Sequence, residues 1–193
     1  MSQTWFTADT HFGHVNIISY SARPFVKLDG QPDVVAMDEA LVRNWNEMVQ
    51  PDDVVWHLGD FALRPNRLVS GYAKRLNGVK HLVLGNHDRC SKTVYREMGF
   101  EVHKGDTLCV GDVRIRMVHD PARLDLANHD LGLCGHVHEA WKEVSREGKR
   151  VINVGVDVRD FRPVALAELL AGGRNLDKRP LEGDYAIVRA NVE

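Results

Sequence analysis

The chain has 193 residues, 44% hydrophobic and 27% charged, with 25 basic and 27 acidic side chains and a net charge of −2. That is the size and balance of one globular domain able to bury a core. It excludes a basic nucleic-acid footprint over the whole surface, and no apolar run reaches membrane-spanning length, so no membrane partner is expected. Cys90, Cys109 and Cys134 are odd in number and lack C-x-x-C spacing. They read as small buried hydrophobes in a reducing compartment, not as a disulfide framework. The opening Met1-Ser2-Gln3-Thr4-Trp5-Phe6 lacks the charged-then-apolar layout of a signal peptide, so the expected location is cytoplasmic.

In chain order, an extended run over 4–8 leads into Asp9-Thr10-His11. A helix is predicted over 33–48 from Val34, Met37, Leu41, Trp45 and Met48 at 3-and-4 spacing. A strand over 54–58 leads into Gly59-Asp60, and a helix over 67–76 carries Leu68, Tyr72 and Leu76. A strand over 79–84 leads into Gly85-Asn86-His87-Asp88. Ser91 caps a short helix through Met98, stopped by Gly99. From about 101 to 155 the pattern is hairpin-rich, with turn signals at Gly111-Asp112 and Glu147-Gly148. Inside it, a strand over 113–118 leads into His119, and one over 131–134 into Gly135-His136-Val137-His138. Pro163 starts a last helix with Val164, Leu166, Leu169 and Leu170, closed by Gly172-Gly173. Strands alternating with helices in the first half indicate an α/β domain with a largely parallel sheet. A single domain over 1–193 is expected, with its core at about 4–170 and a C-terminal extension over 174–193. In that extension Tyr185-Ala186-Ile187-Val188 reads as an added strand or part of an interface.

The five segments that follow strands mix carboxylate and amide oxygens with imidazoles. That donor set suits two divalent transition-metal ions, manganese foremost, with iron, zinc, nickel or cobalt as alternatives. Side chains at i and i+2 of an extended segment share a face. On that geometry Asp9 and His11 grip one metal, and His136 and His138 face a common side, while Thr10 and Val137 turn away. Gly59, Gly85 and Gly135 fit strand exits where the backbone bends or comes close to the site. Two divalent ions bring about +4, Asp9 and Asp60 bring about −2, and a bridging hydroxide leaves about +1, which favours an anionic phosphate ester.

The ordered set D-x-H, G-D, G-N-H-D, H and G-H-x-H resembles the calcineurin-like metallophosphoesterase family, from about Thr4 to about Leu170. The opening His11-Phe12-Gly13-His14-Val15-Asn16-Ile17 is similar to a smaller subgroup carrying H-F-G-H-x-N-I. The resemblance implies a two-sheet β-sandwich flanked by helices, with a dinuclear metal site at one edge. It implies that one metal takes Asp9, His11, Asp60 and His138 and the other Asp60, Asn86, His119 and His136, with Asp60 as bridge. It further implies that a bridging hydroxide attacks phosphorus, that His87 assists the leaving oxygen, and that Asp88 orients His87. His14, Asn16 and Arg23 are candidate substrate contacts, each weighed against a loop-fixing or structural role. Asp120 and Asp157 are near-site candidates. His57, His81, His103 and His129 read as structural, with His57 beside the site. The expected activity is hydrolysis of phosphate esters, diesters before monoesters, on a substrate that includes nucleotides or nucleic acid among its candidates. The alternatives are a nuclease and a non-catalytic scaffold that retains the fold. Nothing in the pattern fixes an oligomeric state.

Overall fold

The computed structural model describes residues 2–63, 67–172 and 188–189. Strand β1 (Thr4–Thr7) runs parallel to β2 (Val54–His57), β2 to β3 (Val79–Val83), and β3 to β4 (Phe100–His103). A two-residue strand, β10 (Val164–Ala165), closes the other edge antiparallel to β1. Alternation along these strands sends neighbours to two separate cores. Trp5, Val55 and Leu82 join one cluster, and Phe6, Trp56 and Val83 the other. Burial on both faces is why Trp5-Phe6, Val55-Trp56 and Leu82-Val83 place apolar side chains at consecutive positions.

The first cluster lies under four helices, α1 (Val15–Tyr20), α2 (Val34–Met48), α3 (Arg67–Arg75) and α4 (Lys92–Glu97). They contribute Ile17, Ile18, Met37, Leu41, Trp45, Tyr72 and Tyr95. Helix α2 starts where a capping residue stands: the Asp33 side chain accepts from the Ala36 N–H at 3.0 Å. The second cluster lies between this sheet and a second one, where Leu108, Ile115, Leu133 and Ile152 meet Phe6, Trp56, Leu58 and Val83.

The second sheet contains β5 (Asp106–Val110), β6 (Val113–Met117), β7 (Leu131–Cys134), β8 (Glu143–Arg146), β9 (Lys149–Asn153) and β11 (Val188–Arg189), in the order β11-β5-β6-β7-β9-β8. Both expected hairpins are present. Gly111-Asp112 joins β5 to β6, and Glu147-Gly148 joins β8 to β9. At the second turn φ is 54° and 74°, the left-handed pair that a tight hairpin demands. The architecture is α/β, two mixed sheets flanked by helices.

Four details differ from the sequence reading. Residues 100–103 belong to the first sheet, parallel to β3, because α4 provides a crossover. The second half is not purely hairpins, since β6–β7 and β7–β9 pair in parallel. Pro163 does not start the last helix; Val164 and Ala165 pair with β1 first, and α5 (Leu166–Ala171) begins after them. A short helix, α1, follows the first motif where none was predicted. In the tail, Val188–Arg189 pairs antiparallel with β5; Tyr185, Ala186 and Ile187 lie outside the described residues. No described helix is long and apolar enough to cross a membrane.

Candidate metal centre

The C-terminal ends of β1, β2 and β3 meet those of β6 and β7 at one end of the sandwich, where open sheets present ligand sites. The backbone stitches the exits together. The N–H of Asp9 donates to Gly59 O (2.9 Å), that of His11 to Asp60 O (3.0 Å), and that of Gly135 to His119 O (3.0 Å). The His136 N–H donates to Asp9 Oδ2 (2.9 Å) and the His87 N–H to Asp60 Oδ1 (2.8 Å). This close approach explains the three glycines. A Cβ on Gly59 would lie 2.6 Å from His119 Nδ1, and one on Gly135 2.6 Å from Asp9 Oδ2; on Gly85 it would collide with the Asp60 carboxylate.

Two sets of side chains converge. In each set the potential ligand atoms lie within 4.8 Å of one another: Asp9, His11 and His138 in the first, Asp60, His119 and His136 in the second. Asn86 joins the second set, its Oδ1 2.9 Å from His119 Nε2 and 3.0 Å from His136 Nδ1. Asp60 Oδ2 stands between the sets, 3.7 Å from His11 Nε2 and 3.3 Å from His119 Nε2. One carboxylate oxygen therefore faces both.

The way the pairs reach these positions departs from the extended-strand geometry. Asp9 and His11 have φ of 57° and 52°, His136 and His138 of 74° and 45°, and Asp60 of 55°. Five of the seven metal-ligand candidates thus sit in the left-handed region, which costs about 1–3 kcal/mol each for a non-glycine residue. His136 and His138 fall into different sets, one in each. Thr10 does turn away, as expected. Its hydroxyl donates to Phe61 O (3.0 Å) and accepts from His57 Nε2 (2.9 Å). Burial holds His57 down to about 3, hence neutral.

The residues fit a divalent pair. Both ring nitrogens of His11 are buried without a hydrogen-bond partner among the described residues. His119 Nδ1 donates to Leu58 O at 2.8 Å, which leaves Nε2 as the ligand atom. His138 Nδ1 lies 2.8 Å from Asp157 Oδ2, which likewise leaves Nε2 toward Asp9 and His11. Within the protein alone, burial pushes Asp9 up to about 6 and His11 down to about 2. Burial also lowers His119, but the Asp60 hydrogen bond and the Asp9 and Asp60 charges outweigh it and raise it to about 9. Burial alone would raise Asp60, yet His119 and the His87 N–H hold it well below the usual carboxylate range. The cluster draws positive charge into itself, which is the demand that a bound cation meets.

Two candidates have other employment. Arg23 is buried and donates to Asp157 Oδ1 (2.7 Å) and Oδ2 (2.9 Å), Asp9 O (2.7 Å) and Thr10 O (3.1 Å). Its fork is committed inside the protein, so the structural alternative replaces the substrate contact. Asp88 does not touch the His87 ring. Its Oδ2 accepts from the Asp60 (2.7 Å) and Gly85 (2.9 Å) N–H groups and its Oδ1 from Phe61 (3.0 Å), which clamps the bend that carries Asp60. His87 Nδ1 has no partner among the described residues, and its ring is placed by edge contact with His11 at 5.3 Å. Its Nε2 lies 4.0 Å from Asp60 Oδ2. His14 leans on His11 and His87, and Asn16 is exposed on α1. Asp120 caps the short turn that follows His119. Asp157, one of the near-site candidates, proves to be the buried link between Arg23 and His138.

The uncharacterized protein MJ1445 of Methanocaldococcus jannaschii is 30% identical over 173 residues, 86% of this chain and 88% of that protein. The Gene 66 protein of Mycobacterium phage L5 is 35% identical over 91 residues, 46% of this chain and 41% of its own. Among solved structures, the protein of unknown function AQ665 from Aquifex aeolicus superposes with a TM-score of 0.67 at 26% identity, covering 90% of this chain and 100% of that one. An archaeal phosphodiesterase shares the fold, with a TM-score of 0.52 at 17% identity over 85% and 99% of the two chains. The profile of the calcineurin-like phosphoesterase superfamily domain matches residues 6–164, and this chain belongs to that superfamily, whose members are metal-dependent.

Proposed function

We propose that this chain is a single metallophosphoesterase domain that hydrolyses phosphodiesters in a site holding two divalent metal ions. The observation that carries this reading is Asp60 Oδ2, set between His11 Nε2 and His119 Nε2 at 3.7 and 3.3 Å. Asp9, His11, Asp60 and His138 would hold one ion, and Asp60, Asn86, His119 and His136 the other. Two such ions act as Lewis acids toward phosphate and lower the pKa of water. Manganese is the foremost candidate for this oxygen-and-imidazole set, and the three free cysteines accord with a reducing cytoplasm.

The chain's own groups do the rest. His87 is one-third exposed at the mouth of the cluster, and its backbone N–H is fixed to Asp60. From there it reaches the leaving oxygen and gives it a proton, a contribution of about 10²–10⁴-fold. His14 lies beside His87, their ring centroids 6.3 Å apart. A cleft of about 280 Å³ opens beside Asn86, His119 and His136, and Lys104, Arg116 and Arg123 line it. That is near the lower end of small-molecule sites, about 300–1,000 Å³. Asp120 lines it too and pairs with Arg123 at 3.7 Å, so the lining keeps a net positive charge; that suits a substrate with further anionic groups, which supports a nucleotide-like diester. The same cations support the second reading, a nuclease on DNA or RNA ends.

The test is turnover of metal-loaded protein on a simple diester, a monoester, cyclic nucleotides and short oligonucleotides. Diester hydrolysis that exceeds monoester hydrolysis is expected, and oligonucleotide cleavage separates the nuclease reading. Metal bound with no turnover of any phosphate ester contradicts both and favours the scaffold. His87→Asn should leave both ions bound and cost far more on an alkyl or ribose diester than on an aryl ester whose leaving group carries its own charge. Equal losses on the two substrates assign His87 to positioning instead.

A further inference from the structure

A third group of metal-type donors lies outside the candidate centre. His81, Glu101 and His103 bring ligand atoms within 4.8 Å of one another. All three come from the β3–β4 pair. His81 and Glu101 are register partners across the two parallel strands, and His103 follows Glu101 by two, hence on the same face. Strand β4 is the edge of the first sheet, so the group sits at the rim of the sandwich.

Distances among the donors are those that a small tetrahedral ion requires. Metal bonds of about 2.0–2.1 Å to nitrogen and oxygen place tetrahedral ligands about 3.3–3.4 Å apart. His81 Nδ1 lies 3.3 Å from His103 Nε2 and 3.4 Å from Glu101 Oε2; His103 Nε2 lies 3.9 Å from Glu101 Oε1. The last gap is the widest and involves the most exposed partner, Glu101, whose side chain is half-exposed.

The rings are also held as ligands are held. His103 Nδ1 lies 3.1 Å from Asp106 Oδ2, on β5 of the second sheet. A carboxylate on the far nitrogen fixes the tautomer that leaves Nε2 bare toward His81 and Glu101. The His81 ring is buried and stacked on Trp56 at 4.4 Å with planes 17° apart. An ion would replace the single hydrogen bond that the two facing nitrogens can share with two coordinate bonds.

We infer that His81, Glu101 and His103 form a third, mononuclear site for a divalent ion of the zinc class. Two imidazoles and one carboxylate are a zinc donor set with a fourth position open to water. The carboxylate beside it, Asp106, is engaged by His103, and the role of the site is structural. It ties the edge strand β4 to β3, and through Asp106 to β5, just ahead of the loop that carries Asn86 and His87. The inference does not rest on the two-metal reading, because it uses none of those ligands.

The experiment uses the full chain. Crystals grown with zinc are measured at the zinc absorption edge, and binding of zinc in solution is followed by native mass spectrometry. An anomalous peak about 2.0–2.1 Å from His81 Nδ1 and His103 Nε2 is expected. His103→Gln and the surface variant Glu101→Gln should each weaken one zinc equivalent by about 10-fold or more. Diester turnover with manganese should stay at the parent level in both. No peak at this position at saturating zinc overturns the site. So does a peak accompanied by unchanged binding in both variants, which would mark an adventitious ion only. Loss of the two-metal centre would appear at Asp60 and leave this equivalent in place, so the two claims fail separately.

Discussion

The two halves of the candidate centre are built differently. The half formed by Asp9, His11 and His138 is walled in: Asp9 and His11 are 0% and 1% exposed. Behind it Arg23 grips Asp157, which holds His138, and the same guanidinium binds the backbone oxygens of Asp9 and Thr10. The half formed by Asn86, His119 and His136 leaves Asn86 and His136 exposed and opens on the cleft with Lys104, Arg116 and Arg123. On the two-metal reading, the buried, braced half would retain its ion, and the open half would exchange its ion and meet substrate. Asp60 faces both halves, 3.7 Å from His11 Nε2 and 3.3 Å from His119 Nε2.

Asp60→Asn should therefore cost the most. It removes the charge that the two halves share, and a loss of turnover of about 10²–10³-fold or more is expected, with both ions weakened. The apolar clusters lie elsewhere, so the circular dichroism spectrum should be unchanged. Near-parent turnover at full metal content would contradict the shared role.

Arg23→Met strikes the braced half through its support. It leaves Asp157 buried without its cation, and breaking a buried pair from one side costs about 3–5 kcal/mol. Urea unfolding should record that loss. A change below about 1 kcal/mol would show that Asp157 is satisfied without the arginine. Asp157→Asn is the gentler probe, with a loss of metal affinity of about 10–100-fold confined to one ion. Asn86→Ala is its counterpart, and should release the other ion first during chelator titration.

Acidity sharpens the same contrast. In metal-free protein the His119 pKa is raised from its ordinary 6.5 to about 9 by the Asp60 hydrogen bond and the Asp9 and Asp60 charges, which outweigh burial. The stability it contributes is fully present below 6.5 and is lost as pH rises through about 9. The melting temperature of metal-free protein should fall over that window, while metal affinity rises as the competing proton leaves. A flat profile would contradict the His119–Asp60 pairing. The smallest effect is expected in the cleft. Arg116→Ala or Arg123→Ala should raise KM for an anionic diester up to about 5-fold, in line with about 1 kcal/mol for an exposed charge. No change in kcat is expected, and high salt should shrink the difference.

The candidate ligand set was legible because its members follow strand exits, and strands announce themselves by local apolar runs. Asp9, Asp60, Asn86, His119, His136 and His138 needed only order and spacing. The braces were not legible. Arg23 and Asp157 are 134 positions apart, and only the closed fold makes them neighbours. The left-handed bends at Asp9, His11 and His136 run against residue preference, so no propensity reports them. Asp88 was expected to orient His87, but its carboxylate accepts from the Asp60, Phe61 and Gly85 N–H groups, because adjacency to His87 in sequence said nothing about which way a bend turns it. His81 and His103 looked structural one at a time. Only the β3–β4 register joins them to Glu101.

The central claim, two ions in unequal halves acting on a diester, is tested most directly by adding manganese to metal-free Glu101→Gln protein while bound ions and diester turnover are followed together. The variant removes competition from the rim. The expected result is a tight first equivalent that leaves the protein nearly inactive, then a weaker second equivalent with which turnover rises in proportion. Full turnover at one equivalent, or none at two, would contradict it.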